Sequence, residues 1–226
     1  MRLPARTTSN VARLTFARYV ARRLRRARLT DEEGEVRAAT TALSEASGAL
    51  GEAELAVSDW LADRDAADDD LDDTAKRHRQ AIEGRGVNAN RDKPYTDIYP
   101  DGMAWYLNAP LGDQVSRYEL LARRYETFLA ADDPVRAEAP LIRQQVAQWT
   151  AARAQVEQAE LDVAMARAKV SRAVEAWGQT LTRLYFRLAE KYGKAQAERF
   201  FPRVNRARRP DEVEVDDEAG APAGEG

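Results

Sequence analysis

The sequence predicts an all-α fold: an elongated antiparallel long-helix hairpin, coiled-coil-like, with a short helix packed at each end. Three observations predict it. Two separate stretches carry a seven-residue apolar repeat, both repeats place large residues at a and mostly Ala at d, and capping and breaker residues bracket each repeat. Composition agrees, since 32% of the 226 residues are charged, 8% are aromatic and Cys is absent. Such a chain belongs with helix-rich proteins rather than sandwiches or disulfide scaffolds, and it has no thiol chemistry.

Residues 1–30 form the first element, a basic amphipathic helix over roughly 10–29. Phe16, Val20 and Leu24 recur at four-residue spacing beside Tyr19, and nine arginines face no acid in this stretch. An Arg-rich, acid-free start has the composition of a mitochondrial transit peptide. Arg and Ala stay abundant to the end of the chain, however, and no apolar run approaches the roughly 20 residues of a membrane span. The expected compartment is cytoplasmic.

Residues 31–84 are the first long helix. Thr30 with Glu33 makes a capping box, and Gly84 and Gly86 end the helix beyond Ile82. Steps of seven from Val36 give Leu43, Leu50, Val57, Arg64, Leu71 and His78, and the d series runs Ala39, Ala46, Ala53, Trp60, Ala67, Thr74 and Ala81. Residues 85–113 are an aromatic connector containing Pro and Gly, which sets Tyr95, Tyr99, Trp105 and Tyr106 where the long helices must turn. It reads either as a plug over apolar helix ends or as a partner-binding tip, and exposed aromatics would favour the second.

Residues 114–132 follow as a short helix capped by Asp113, with Val115, Tyr118, Ala122, Tyr125 and Leu129 on one face. Residues 133–202 are the returning long helix. Asp133 and Pro134 start it, Pro140 must kink or restart it, and Pro202 stops it. Its heptads step from Ile142 through Trp149, Val156, Val163, Val170 and Trp177 to Leu184, with Ala152, Ala159, Ala166 and Ala173 at d. Residues 203–226 are basic and then acidic, with almost nothing apolar to bury, and read as a disordered tail.

At 1.5 Å per residue the two long helices would run about 80 and 90 Å. Antiparallel packing sets each large a residue level with a small d residue. The preferred register puts Leu50 by Ala173, Arg64 by Ala159 and His78 by Gln145, and a shift by one heptad keeps the same rule.

Charge is segregated. Residues 31–74 hold fifteen acids against two bases, residues 179–209 nine bases against two acids, and residues 210–226 seven acids and no base. In an antiparallel hairpin the basic first helix and the second basic stretch share one end. Residues 13–28 and 183–209 would form a basic pole, with Arg22, Arg23, Arg25, Arg26, Arg199, Arg203, Arg206, Arg208 and Arg209 as candidate anion contacts.

The run of Asp63, Asp65, Asp68, Asp69, Asp70, Asp72 and Asp73 near His78 invites a metal reading, but its spacing spreads the carboxylates around a helix. It lacks the glycine turn of a calcium loop and the Glu-x-x-His motif of a bundle site. There is one histidine, and no phosphate-binding glycine loop or nucleophile elbow. No catalytic residue, metal or cofactor is expected. The expected function is a non-enzymatic scaffold or adaptor for protein–protein interactions, with weak binding of nucleic acid or anionic lipid at the basic pole as the alternative and homo-oligomerisation open.

Overall fold

The structure, a computed structural model, describes residues 3–5 and 8–202. Among them the fold is an all-α helical hairpin without strands. The helices are α1 (Asn10–Arg26), α2 (Thr30–Glu83), α3 (Tyr95–Ile98), α4 (Ala104–Leu107), α5 (Gln114–Phe128), α6 (Pro134–Ala137), α7 (Ala139–Tyr192) and α8 (Lys194–Glu198). The long helices α2 and α7 pack closely against each other. Two compact units divide the chain: the first runs to Ala42 and resumes at Glu175, and the second is Leu43–Val174. The expected tail over 203–226 lies outside the described residues.

In the first unit Ser9 caps α1 by accepting the Ala12 N–H at 3.3 Å. Arg28 then takes a positive φ of 59°, which lets the Leu29 N–H reach back to the Leu24 carbonyl at 3.1 Å, the six-to-one bond that closes a helix end. The apolar face of α1 is buried through Phe16, Ala17, Val20, Ala21 and Leu24. Phe16 meets Trp177 edge-on with ring centres 6.1 Å apart.

The returning helix ends earlier than Pro202. Gly193 adopts φ 81°, a left-handed conformation that glycine tolerates best, and its N–H caps Ala189 at 2.9 Å. The chain turns there into α8 and brings Phe201 against Phe16 and Tyr185. A glycine directly after a periodic stretch outranked a proline nine residues later.

In the second unit the connector contains the four-residue helices α3 and α4, which pack on α5 together with α6. Asp113 does not cap α5 with its side chain; its carboxylate sits 3.4 Å from Arg117 instead. Asp133 does cap α6, accepting the Val135 N–H at 2.9 Å, and also receives both guanidinium nitrogens of Arg85 at 2.6 and 2.8 Å. Glu138 separates α6 from α7, which restarts with Pro140 in its first turn, where its missing N–H is harmless.

The register differs from the expected one. Gln145 donates to the Thr74 hydroxyl at 3.0 Å and the Asp70 carbonyl at 3.2 Å rather than to His78. Arg167 meets Glu54 at 3.0 Å, and Arg187 meets Glu35. Helical side chains lean toward their own N-terminus, so bonded tips in an antiparallel pair arise from Cα atoms that have passed one another. These contacts fit a register one heptad along, with Leu50 level with Ala166 and Leu43 with Ala173. The large-against-small rule survives. Trp60, a large d residue, finds no gap between helices spaced by alanine and stands 37% exposed.

Candidate functional site

The connector's aromatics are built into a core. Tyr95, Tyr99 and Tyr106 are buried with Tyr118 and Tyr125, and Leu71, Ile82, Ile98 and Ile142 surround them. Helix α5 supplies Tyr118 and Tyr125 seven residues apart on one face, and the helical turns at α3 and α4 fold the other phenols over it. Burial of a tyrosine requires a partner for its hydroxyl. The Tyr99 and Tyr125 hydroxyls bond each other at 2.8 Å, and Tyr106 donates to the Ile98 carbonyl at 2.9 Å while Arg124 contacts the same hydroxyl. Burial raises all five phenols above their ordinary value, and at Tyr118 the neighbouring Asp72 carboxylate adds to it.

Three of the four residues considered for a partner-binding tip, Tyr95, Tyr99 and Tyr106, are therefore buried. Trp105 is half-buried, with the Arg117 guanidinium 4.3 Å over its ring.

A polar rim joins this core to the acidic run. The buried His78 ring bonds Glu138 through Nε2 at 2.7 Å, and Tyr125 meets its face edge-on at 5.4 Å. That N–H first, then Arg77 at 3.6 Å, holds the Glu138 carboxyl below the usual range against a smaller desolvation effect. Asp72 accepts from Tyr118 and Asp68 from Gln114. Burial raises Asp72, the Tyr118 hydroxyl lowers it, and the balance lies above the ordinary value. Asp65 takes Arg64, and Asp73 takes Lys76. Asp65, Asp68, Asp72 and Asp73 are thus each taken by a neighbouring side chain, and no three His, Asp or Glu side chains converge on a metal-sized site among the described residues. Asp63, Asp69 and Asp70 are exposed. The His78 Nδ1 and Gln145 Oε1 are buried without a partner.

The basic face is the third candidate. Arg22, Arg23, Arg25 and Arg26 all point to solvent along α1. Arg25 lies 3.8 Å from Glu33 yet keeps 71% of its side chain exposed, so the pair is worth little. Arg23 donates to the Arg199 backbone carbonyl at 3.1 Å. The same cleft, about 270 Å³, is lined by Arg26, Gln196 and Arg199. Arg22 and Arg26 have no acidic partner among the described residues. Arg203, Arg206, Arg208 and Arg209 lie outside the described residues.

Two contacts of this core escaped sequence reasoning. Glu138 as the partner of His78, and Arg124 as the clamp on Tyr106, carry no periodic signal. No helix of the described residues is long and apolar enough to cross a membrane. No family model, no curated protein and no solved structure matches the chain.

Proposed function

We propose that the chain is a non-enzymatic helical scaffold whose exposed charged flanks dock partner proteins. The observation that carries this reading is the contrast between spent and free groups. Most buried polar side chains of the second unit are bonded within it, as Tyr99 is to Tyr125, Gln114 to Asp68 and His78 to Glu138, whereas the exposed acids Asp63, Asp69 and Asp70 of α2 have no side-chain hydrogen-bond or salt-bridge partner among the described residues. A flank of one sign on a rigid helix steers a basic partner and fixes its orientation.

The solvent-facing arginines of α1 favour a second reading, docking of a polyanion at the basic pole. Cross-linked capture from cells that make the protein separates the two. Under the scaffold reading, Asp69→Lys with Asp70→Lys removes the captured protein, and Arg22→Gln with Arg26→Gln leaves it in place. If the arginine pair alone abolishes capture, and the purified wild type binds DNA or anionic vesicles in a strongly salt-dependent way, the polyanion reading replaces the scaffold one.

A further inference from the structure

The two edges of the α2–α7 pair differ across the middle of the second unit. One edge is closed by the chain itself, where Glu54 and Arg167 meet at 3.0 Å. The other edge is open. There the seam continues into a trough beside Ala53, Ala56, Trp60 and Ala159, about 140 Å³ in its deepest part. Trp60 stands 37% exposed beside it and Met165 55% exposed on its α7 rim.

The rims of this trough carry opposite charges. On α2 they are Glu45 and Glu52, on α7 Lys169 and Arg172. All four are exposed, and none has a hydrogen-bond or ion partner among the described residues. They occupy c and g positions of their heptads, which project away from the seam, so the trough keeps them apart within one chain. With Leu50 level with Ala166, Glu45 stands within one residue of Arg172 in height, and Glu52 and Lys169 are offset as Glu54 and Arg167 are, so that their tips can meet. Asp162, an acid on the α7 rim, already accepts from Gln158 at 3.1 Å.

We propose that a second copy of this chain covers the trough, packed face to face about a two-fold axis that runs along the helices. Such an axis preserves height, so α2 of one copy lies over α7 of the other, antiparallel to it. Glu52 then faces the partner subunit's Lys169, and Glu45 faces the partner subunit's Arg172. The symmetry makes both contacts twice. The alanine floor lets the two pairs approach closely, and Trp60 and Met165 are covered from water. A two-fold axis across the helices would instead lay α2 antiparallel on α2, setting the acids Glu45, Glu52, Asp59 and Asp63 against acids of the partner's α2, which like-charge repulsion disfavours. In the proposed arrangement Asp59 nears one acid, the partner subunit's Asp162, against two pairs of opposite sign, so the balance of charge favours this orientation.

Light scattering on the full chain after size-exclusion chromatography tests the proposal. At low salt the wild type should have twice the 25.3 kDa mass of one chain. Glu45→Lys with Glu52→Lys, and separately Lys169→Glu with Arg172→Glu, should each weaken self-association at least about tenfold. Mixed in equal amounts, the two variants should form a mixed dimer, because both substituted pairs are again of opposite sign. That rescue separates lost contacts from lost folding. A wild type that stays at 25.3 kDa at every concentration overturns the proposal. So does a stronger dimer from the Glu45→Lys, Glu52→Lys variant alone, which would place α2 on α2, and so does a mixture that remains monomeric.

Discussion

Between Leu71 and Ile82, α2 buries Leu71, Thr74, Ala75, His78 and Ile82. Over the longer stretch from residue 44 to residue 70 it buries none fully, and Leu50, Val57 and Leu61 stay half-exposed. The heptad is the same in both regions. What differs is the number of layers: α5 and the connector cover the first region, whereas α7 alone faces the second. Over the matching stretch α7 still buries Val156, Ala159, Val163 and Ala166. A two-helix seam thus has a well-covered side and a poorly covered one, and an apolar repeat in sequence measures the intention to bury rather than burial achieved.

Truncations in the two regions should break apart by the largest margin. Tyr125→Ala opens a cavity in the phenol cluster and strands the Tyr99 hydroxyl, so a loss of about 3–5 kcal/mol is expected in chemical denaturation. Trp60→Ala removes a larger side chain that is already 37% exposed, and about 1 kcal/mol is expected. Equal losses would mean the middle seam is covered as well as the end.

A smaller effect should come from overpacking. Ala166 is 8% exposed and sits level with Leu50, so Ala166→Leu should cost about 1–3 kcal/mol. Ala62→Leu, on the exposed f position of the same region, should stay within about 0.5 kcal/mol of wild type. Indistinguishable melting temperatures for the two would remove the basis for the register.

The smallest expected effects are those of pH, and the rim of the phenol cluster supplies both signs. The lowered carboxyl of Glu138 contributes stability that is full above its ordinary value of 4.5 and is lost as pH falls through its folded value. The raised carboxyl of Asp72 does the reverse: its contribution is full below 3.8 and is lost as pH rises through its folded value. Glu138→Gln should therefore flatten the fall in stability below pH 4.5, and Asp72→Asn should leave neutral stability unchanged or raise it. Acid titrations of stability for the two variants with the same slope as wild type would show that neither contact persists in solution.

How much was legible in the sequence follows from how often each signal repeats. The long helices, the α1 face and the α5 face repeat over several turns, and Gly84 and Asp133 mark ends by chemistry that acts locally, so all of these were visible. Register was not, because Ala at nearly every d makes a shift of seven residues almost costless to the pattern. Helices α3 and α4 are each one turn long and have no period to detect. The phenol pairs depend on side chains 26 positions apart meeting in space, which no local spacing encodes. Trp60 was visible as the one large residue in the d series of α2, but its outward displacement follows only from the axial spacing that the alanines impose.

The Arg85 and Asp133 pair joins the chain just after α2 to the chain just before α6, across 48 positions. It closes the neck of a long excursion, so the connector and α5 leave the hairpin and rejoin it at a single place. With the neck pinned, the entropy lost in closing so long a loop is offset locally, and lengthening the excursion would add little because closure entropy grows only with the logarithm of length. Architecturally the excursion is a cassette inserted where a plain helical hairpin would have a short turn.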